Sequence, residues 1–312
     1  GKLYTLVYGN PCALNNDPIE KKPLYHFRPG TLALSLATAG CNLHCQYCQN
    51  WTISQAAPEA VDTYDLPPKA LIALAQQAGS QSIAFTYSEP TVFFEYVIDT
   101  AHLAREAGLA SVVISAGFIN RDPLRELCSA VDAIKIDLKG FNEEFYRKVV
   151  KGELKPILNA LETIAASDTH LEIVNLVVPT LNDDFGEIQA LGAWVVDHLG
   201  ADVPLHFSRF HPMYQLTNLP TTPVETLQRA RESAMEAGVR YAYVGNVPGD
   251  PGDQTYCHCC GKMIVERMGY SVIDYHIDST GHCAYCGCPI PGVWDATLAP
   301  QTPPDTTGRP DQ

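Results

Sequence analysis

LALSLATAGCNLHCQYCQNW, residues 32–51, runs from an apolar, β-rich segment straight into three closely spaced cysteines. LALSLAT (32–38) reads as a strand, and Cys41, Cys45 and Cys48 sit on the loop that leaves it, separated by three and two residues. In a parallel α/β barrel the loops that follow the strands carry the chemistry. Three thiolates on such a loop can hold three irons of a cubane [4Fe-4S] cluster, leaving one iron without a protein ligand and open to a small chelating molecule. The rival is zinc, whose structural sites take four protein ligands, so a fourth would have to come from elsewhere, for example His44. Its place between the first two cysteines suits His44 better to packing or hydrogen bonding near the cluster than to ligating it.

Outward from this stretch, short β-rich runs alternate with longer helical patterns for about two hundred residues, which implies a parallel sheet. The further strands expected are SIAFTY (82–87), SVVISA (111–116), DAIKIDL (132–138), LEIVNLVV (171–178), PLHFSRF (204–210) and YAYVGN (241–246). Helices are expected from Pro67–Pro68 to Gly79, over 91–108, and over 122–129, 142–150, 155–167, 184–199 and 223–238. Proline fits the first turn and glycine the stop. The architecture predicted is α/β, a partial (β/α)6 TIM-like barrel carrying a small C-terminal Cys-rich module. A segment 1–30 packs on the barrel, 31–246 forms it, 247–296 is the metal-binding module, and the Pro-, Thr- and Asp-rich stretch 297–312 is a mobile tail.

With 312 residues, 46% of them hydrophobic and 18% charged, the chain can bury a large core. A formal net charge of -14 argues against a nucleic acid partner. No apolar stretch approaches the length of a membrane span, and the opening GKLYTLVYGNPC lacks the basic-then-apolar order of a secretory signal, so a cytoplasmic protein is expected. The chain starts at Gly1 rather than methionine, and a trimmed end is expected.

Eleven cysteines are an odd number, and most fall within 41–48 and 257–288, which favours metal ligation over disulfides. Cys12 and Cys128 stand apart and read as small buried side chains. In YCHCCGKM and HCAYCGCP the pairs Cys257/Cys260 and Cys283/Cys286 are each followed by glycine, and together offer four thiolates to one tetrahedral ion. With 22 residues between Cys260 and Cys283, the segment resembles a zinc ribbon or rubredoxin-like fold with IVERMGYSVIDYHID as a hairpin. Structural zinc is the leading expectation; a mononuclear iron or an auxiliary iron-sulfur cluster are the alternatives. The extra Cys259 and Cys288 leave the register among Cys257, Cys259 and Cys260 open, and His258 and His282 are available as substitutes.

The CxxxCxxC pattern in GCNLHCQYCQNW, with Tyr47 just before its third cysteine, resembles the signature of the radical S-adenosylmethionine (SAM) superfamily. PIEKKPLYHFRPG, CQNWTISQ, AFTYSEPTVFFEY, IKIDLKGFNEEFYRKV, RFHPMY and YVGNVPG together look like the radical enzyme of the AmmeMemoRadiSam system, a group similar to pyruvate formate-lyase activating enzymes. The match covers nearly the whole chain to about residue 294.

The resemblance implies that the amine and carboxylate of SAM chelate the open iron and that an electron from the reduced cluster splits a carbon–sulfur bond, giving a 5′-deoxyadenosyl radical. Glu89, after the second strand, is then the acceptor for the SAM ammonium; alternatively it only caps the following helix. Ser115 would reach the ribose or carboxylate. Lys135, Asp137 and Lys139 would bind the ribose hydroxyls and the carboxylate, or else form a structural ion pair. Leu176, Val178 and Pro179 would wall the adenine. His211 resembles a histidine that activating enzymes place near cofactor and substrate, and Arg209 would hold an anionic substrate. A reductant such as flavodoxin or ferredoxin is implied, with Memo-like and Ammecr-like proteins as partners and a substrate that is either a small molecule or a protein. The competing reading is a cysteine-rich metal-binding scaffold that cleaves no SAM.

Overall fold

All four residues of Ser82–Phe85 and all six of Ala110–Ser115 are buried. Strands covered on both faces are what a parallel sheet demands when helices pack outside it and side chains fill its inside. The computed structural model, which describes residues 4–294, has an eight-stranded sheet in simple sequence order. Its strands are β1 (Ala13–Pro18), β2 (Leu32–Ala37), β3 (Ser82–Phe85), β4 (Ala110–Ser115), β5 (Ala133–Asp137), β6 (His170–Val177), β7 (Leu205–Arg209) and β8 (Ala242–Gly245). Strands β2 to β8 run parallel, and no pairing joins β8 back to β1, so the barrel is partial.

All seven strands expected from the sequence are present within a residue or two at most ends. An eighth, β1, was not expected: it pairs antiparallel with β2 from Ala13↔Ala37 to Pro18↔Leu32. Its sequence ALNNDP carries few β-formers, and pairing to β2 rather than propensity makes it a strand. The helices are α1 (Trp51–Ser54), α2 (Pro68–Gln77), α3 (Phe94–Glu106), α4 (Arg121–Ala130), α5 (Glu143–Phe145), α6 (Leu154–Ala165), α7 (Phe185–His198) and α8 (Val224–Glu236). The helix expected over 142–150 divides into α5, capped by Asn142 Oδ1 at 2.7 Å from Phe145 N, and one turn of π-helix over 146–150. No helix among the described residues is long and apolar enough to cross a membrane. Cys12 and Cys128 are half-buried, with thiols pushed up by burial.

Alternation along the strands decides what fills the bore. Ala33, Ala84, Val112 and Ala133 are small inward-facing residues near the strand starts, and Ile19, Leu24 and Phe27 from the segment after β1 insert among them. Ile19, Leu24 and Phe27 each contribute roughly 1.5–3 kcal/mol of burial, an upper bound because the unfolded chain is itself partly collapsed. The base of the barrel is thereby closed.

After β8, the strands β9 (Thr255–Tyr256), β10 (Met263–Met268) and β11 (Ser271–Tyr275) form a three-stranded antiparallel sheet that includes the expected hairpin. Ile264, Val265, Ile277 and Ile290 share a core with Tyr25, Tyr241 and Tyr243. Arg267, 2% exposed, donates to the Tyr25 carbonyl at 3.0 Å and lies 4.0 Å from the centre of the Tyr25 ring. The tail expected over 297–312 lies outside the described residues.

Candidate iron-sulfur and cofactor site

The loop after β2 is held by the residues between its cysteines. Leu43 and Tyr47 are buried, and Tyr47 packs against Phe145 and Phe210. The carbonyls of Val149 and Val150, at the C-terminal end of the π-turn where helix carbonyls lack intrahelical partners, accept from Gln46 N at 3.0 Å and His44 N at 3.3 Å. A Cβ on Gly152 would stand 2.7 Å from Leu43 Cδ2, so a side chain there would have to displace the buried Leu43 that anchors the loop. With its apolar residues turned into the core, the loop presents Cys41, Cys45 and Cys48 to a cavity of about 530 Å³ in the barrel mouth.

The donor set fits an iron-sulfur cluster better than a single ion. His44 is exposed and its Nδ1 is tied to Gln55 Oε1, so it does not complete a four-ligand zinc site. Among the described residues, the groups of three or more ligand atoms that lie within 4.8 Å of one another are both in the C-terminal segment, and Cys41, Cys45 and Cys48 do not form one. Leu43 N donates to Cys41 Sγ at 3.4 Å and Ser54 Oγ lies 3.2 Å from Cys48 Sγ, contacts of the kind that tune cluster potentials. Burial and the nearby Glu89 charge push the Cys41 thiol up to about 12, and burial, partly offset by Lys139, pushes Cys45 up to about 11.

Glu89 is 2% exposed and follows β3 through Tyr87, whose φ of 62° is held by Asn50 Nδ2 donating to its carbonyl at 2.7 Å. Glu89 Oε1 accepts from Thr91 N at 3.1 Å, Thr91 Oγ1 at 2.7 Å and Ser115 Oγ at 2.7 Å, while Oε2 accepts from Ala116 N at 2.9 Å. Glu89 therefore does cap the turn after it, and Ser115 is spent on orienting it. Both line the cavity.

Lys135 and Asp137 alternate on the inner face of β5, with Lys139 just beyond. Asp137 pairs with Lys135 through Oδ1 and with Lys139 through Oδ2 at 2.9 Å, a triad with one surplus positive charge facing the cysteines. Burial alone would raise the Asp137 carboxyl, but the two lysines hold it well below the usual range. Glu172 is depressed in the same way: burial would raise it, and hydrogen bonds from His170 and His206 override that.

A carboxylate with a depressed folded pKa adds stability that is present above its unfolded value and lost as pH falls through the folded one. The fold is therefore expected to lose stability as pH drops below about 4.3, the usual carboxylate range. Asp137→Asn, which strands two lysines beside a partly open cavity, is expected to cost about 3 kcal/mol at neutral pH and to flatten this acid limb. Thermal melts of both proteins across pH check it; equal slopes would contradict the account.

Arg209 and His211 do not reach the cavity. On β7 the inward positions are His206 and Ser208, so Arg209 points outward, where its Nε donates to the Thr222 carbonyl at 2.8 Å. His211 is exposed, with Nδ1 3.5 Å from Thr221 Oγ1. Leu176 lines the cavity together with Val174, whereas Val178 is buried in the core outside.

Sequence reasoning passed over His206, whose Nε2 is 2.7 Å from Glu172 Oε2 and whose Nδ1 has no partner among the described residues. It also passed over Lys22, buried and 2.6 Å from Asp17 Oδ2, an acid that Tyr87 Oη also meets. Burial, only partly offset by Asp17, pushes Lys22 down to about 8. The period-two pattern of LHFSR was the available signal for His206; nothing in the charged run EKK marked Lys22. Tyr270, at the tip of the C-terminal hairpin, lines the same cavity.

In the C-terminal segment the four sulfurs close up. Cys257 and Cys286 are 3.7 Å apart and Cys260 and Cys283 3.9 Å, against about 3.8 Å between sulfurs that sit about 2.3 Å from one tetrahedral ion. The two turns repeat one geometry: Gly261 N and Gly287 N, at φ of 70° and 71°, donate to the Cys257 and Cys283 carbonyls at 2.8 Å each. This group could hold a metal.

Comparison with known proteins agrees with this geometry. The model of the Radical SAM superfamily matches residues 35–191, a span that contains the three cysteines, Glu89, Ser115 and the Lys135–Lys139 triad. The uncharacterized protein MJ0808 of Methanocaldococcus jannaschii is 44% identical over 288 residues, covering 92% of this chain and 86% of its own. Pyruvate formate-lyase 1-activating enzyme of Escherichia coli K12 is 23% identical over 207 residues, 62% of this chain and 84% of its own. In fold, Streptococcus suis SuiB bound to S-adenosylmethionine aligns with a TM-score of 0.55 at 12% identity, over 73% of this chain and 53% of SuiB. A radical SAM methyltransferase from Sphaerobacter thermophilus aligns with a TM-score of 0.54 at 14% identity, over 73% of this chain and 71% of its own. A partial parallel barrel, a CxxxCxxC loop at its mouth and a family match spanning that loop lead to one conclusion: the chain is an enzyme of the radical SAM superfamily.

Proposed function

We propose that the chain holds a [4Fe-4S] cluster on Cys41, Cys45 and Cys48, binds SAM beside it, and uses the resulting radical to abstract hydrogen from a substrate seated deeper in the bore. The observation that carries this reading is the meeting of three cysteines, Glu89 and the Lys135–Asp137–Lys139 triad on one cavity, while His44 turns away. When bound, cluster and cofactor supply an electron and a 5′-deoxyadenosyl radical.

The chain's residues bind and orient. Glu89 Oε2 accepts one hydrogen bond from the protein and keeps capacity for an ammonium. Lys139 and Lys135 offer the surplus positive charge for a carboxylate, Asp137 accepts from ribose hydroxyls, and Val174 with Leu176 forms an apolar wall. Contact with the substrate, expected of Arg209 and His211, passes in this reading to His206, Ser208 and Lys22, which line the cavity. Residues 31–246 act as the catalytic unit, and the segment from 247 is an appended metal module, with zinc the ion its four sulfurs suit. A flavodoxin or ferredoxin serves as reductant, and Memo-like and Ammecr-like proteins as partners. A scaffold without SAM cleavage has no use for three cysteines lacking a fourth ligand.

The test is anaerobic: reconstitute the chain with iron and sulfide, reduce it, add SAM, and quantify 5′-deoxyadenosine and methionine. Equal amounts of the two products are expected; an intact, reduced cluster that leaves SAM uncleaved would overturn the reading.

A further inference from the structure

The four-sulfur site of the C-terminal segment leaves two cysteines over. Cys259 and Cys288 are joined in a disulfide that ties the first cysteine turn to the residue just past the second. We propose that Cys257, His258, Cys259 and Cys288 form a second site for a zinc-type divalent cation, shut by this disulfide and opened by its reduction.

Three observations converge on these residues. The ligand atoms of Cys257, Cys259 and Cys288 all lie within 4.8 Å of one another. His258 Nε2 is 3.5 Å from Cys288 Sγ. A sulfur at about 2.3 Å and a nitrogen at about 2.0–2.1 Å from one tetrahedral ion stand about 3.5 Å apart, so this pair already spans one edge of such a site. His258 Nδ1 is 2.7 Å from the hydroxyl of Tyr241, a residue only 2% exposed and anchored at the start of β8. With Nδ1–H donating to that oxygen, Nε2 keeps its lone pair on the side of the sulfurs, the arrangement that orients ligating histidines.

Counting ligands supports a paired site. Cys260, Cys283 and Cys286 with Cys257 make up the first group of four, Cys259 and Cys288 with the same Cys257 supply three ligands of a second, and His258, beside Cys288, is the side chain at hand for its fourth. Cys257 is then a bridging thiolate. While Cys259 and Cys288 are bonded to each other neither can be a thiolate ligand, so the oxidised chain holds one cation here and the reduced chain two.

The conversion balances with a dithiol reductant. Its thiolate attacks one sulfur of the Cys259–Cys288 bond and releases the other as a thiolate; its second thiol then resolves the mixed disulfide by releasing the first, and the reductant leaves as a disulfide having given two electrons. Cys259 and Cys288 end as thiols, and the cation displaces their protons. Cys259 is exposed and Cys288 half-buried, so the bond is within reach of such a reagent. The inference stands on the C-terminal residues alone and does not depend on radical chemistry at Cys41–Cys48.

The test is metal stoichiometry on the full chain with its iron-sulfur site loaded. Reduce anaerobically with dithiothreitol, remove the reductant, equilibrate with zinc, desalt, and measure zinc and iron per chain; repeat on protein oxidised anaerobically with diamide, its iron content unchanged, and on C259S/C288S. Two zinc ions in the reduced chain, with one in the oxidised chain and one in the variant under both conditions, is the expected result. One zinc in the reduced chain, or a second zinc that persists in the variant, would overturn it. A cadmium-loaded reduced chain adds a readout that a merely structural disulfide would not give: two ¹¹³Cd resonances coupled through the shared Cys257, of which His258→Ala shifts only one.

Discussion

Cys45→Ala is expected to abolish SAM cleavage, lowering 5′-deoxyadenosine formation by at least about three orders of magnitude, equivalent to about 4 kcal/mol. The reason is coordination rather than stability. Tyr47 and Leu43, which anchor the loop, are untouched, so the fold should survive, and thermal unfolding is expected to stay within about 1 kcal/mol of wild type. In the proposed reading, what would be lost is one of three protein ligands to a cluster that already has an iron without one. Iron and acid-labile sulfide content should fall together with activity. A variant that keeps full cluster content and cleavage would show that the cubane is held in some other way.

Stripping the metal from Cys257, Cys260, Cys283 and Cys286 is expected to unfold the C-terminal segment while leaving most of the barrel folded. Its apolar core is small, with Ile264, Val265, Ile277 and Ile290 as the aliphatic members, and part of that core belongs to the barrel through Tyr25, Tyr241 and Tyr243. Metal binding to four-thiolate sites carries roughly 10–16 kcal/mol of apparent free energy, more than such a core supplies. Cys283→Ser, which removes a buried ligand, should reproduce the effect of a strong chelator. Hydrogen exchange is the measurement: protection should vanish across β9 to β11 and weaken at residues 19–27, where Arg267 holds the Tyr25 carbonyl. Because Tyr270 lines the mouth cavity, SAM binding should weaken as well. Unchanged protection after metal removal would make the site incidental.

The strands and helices were legible because their punctuation agrees with their packing. Buried apolar runs such as SIAF and SVVIS, proline at the start of α2 and glycine after α2, α3 and α8 all point one way. The antiparallel β1 was not legible, since ALNNDP becomes a strand only through its neighbour. In the cavity, the residues next to the cysteines or at strand ends come together as their positions in the sequence implied. Arg209 lies outside the cavity because strand alternation, which fixes direction, turns it away, and the same rule turns His206 and Ser208 inward. Lys22 and Asp17 are brought to the cavity by the turn after β1, a tertiary effect with no local pattern. The sequence also left open which cysteines pair in CHCC; the convergence of Cys257 and Cys260 on Cys283 and Cys286, with Cys259 bonded to Cys288, resolves it.

The most direct test of the central claim is electron paramagnetic resonance of the reduced, reconstituted chain with and without SAM labelled with ¹⁵N at its amino group. A signal that shifts on adding SAM and carries a ¹⁵N hyperfine coupling, absent in Cys45→Ala, is the result this account predicts. A [4Fe-4S] signal indifferent to SAM, with no coupling to the labelled nitrogen, would contradict it.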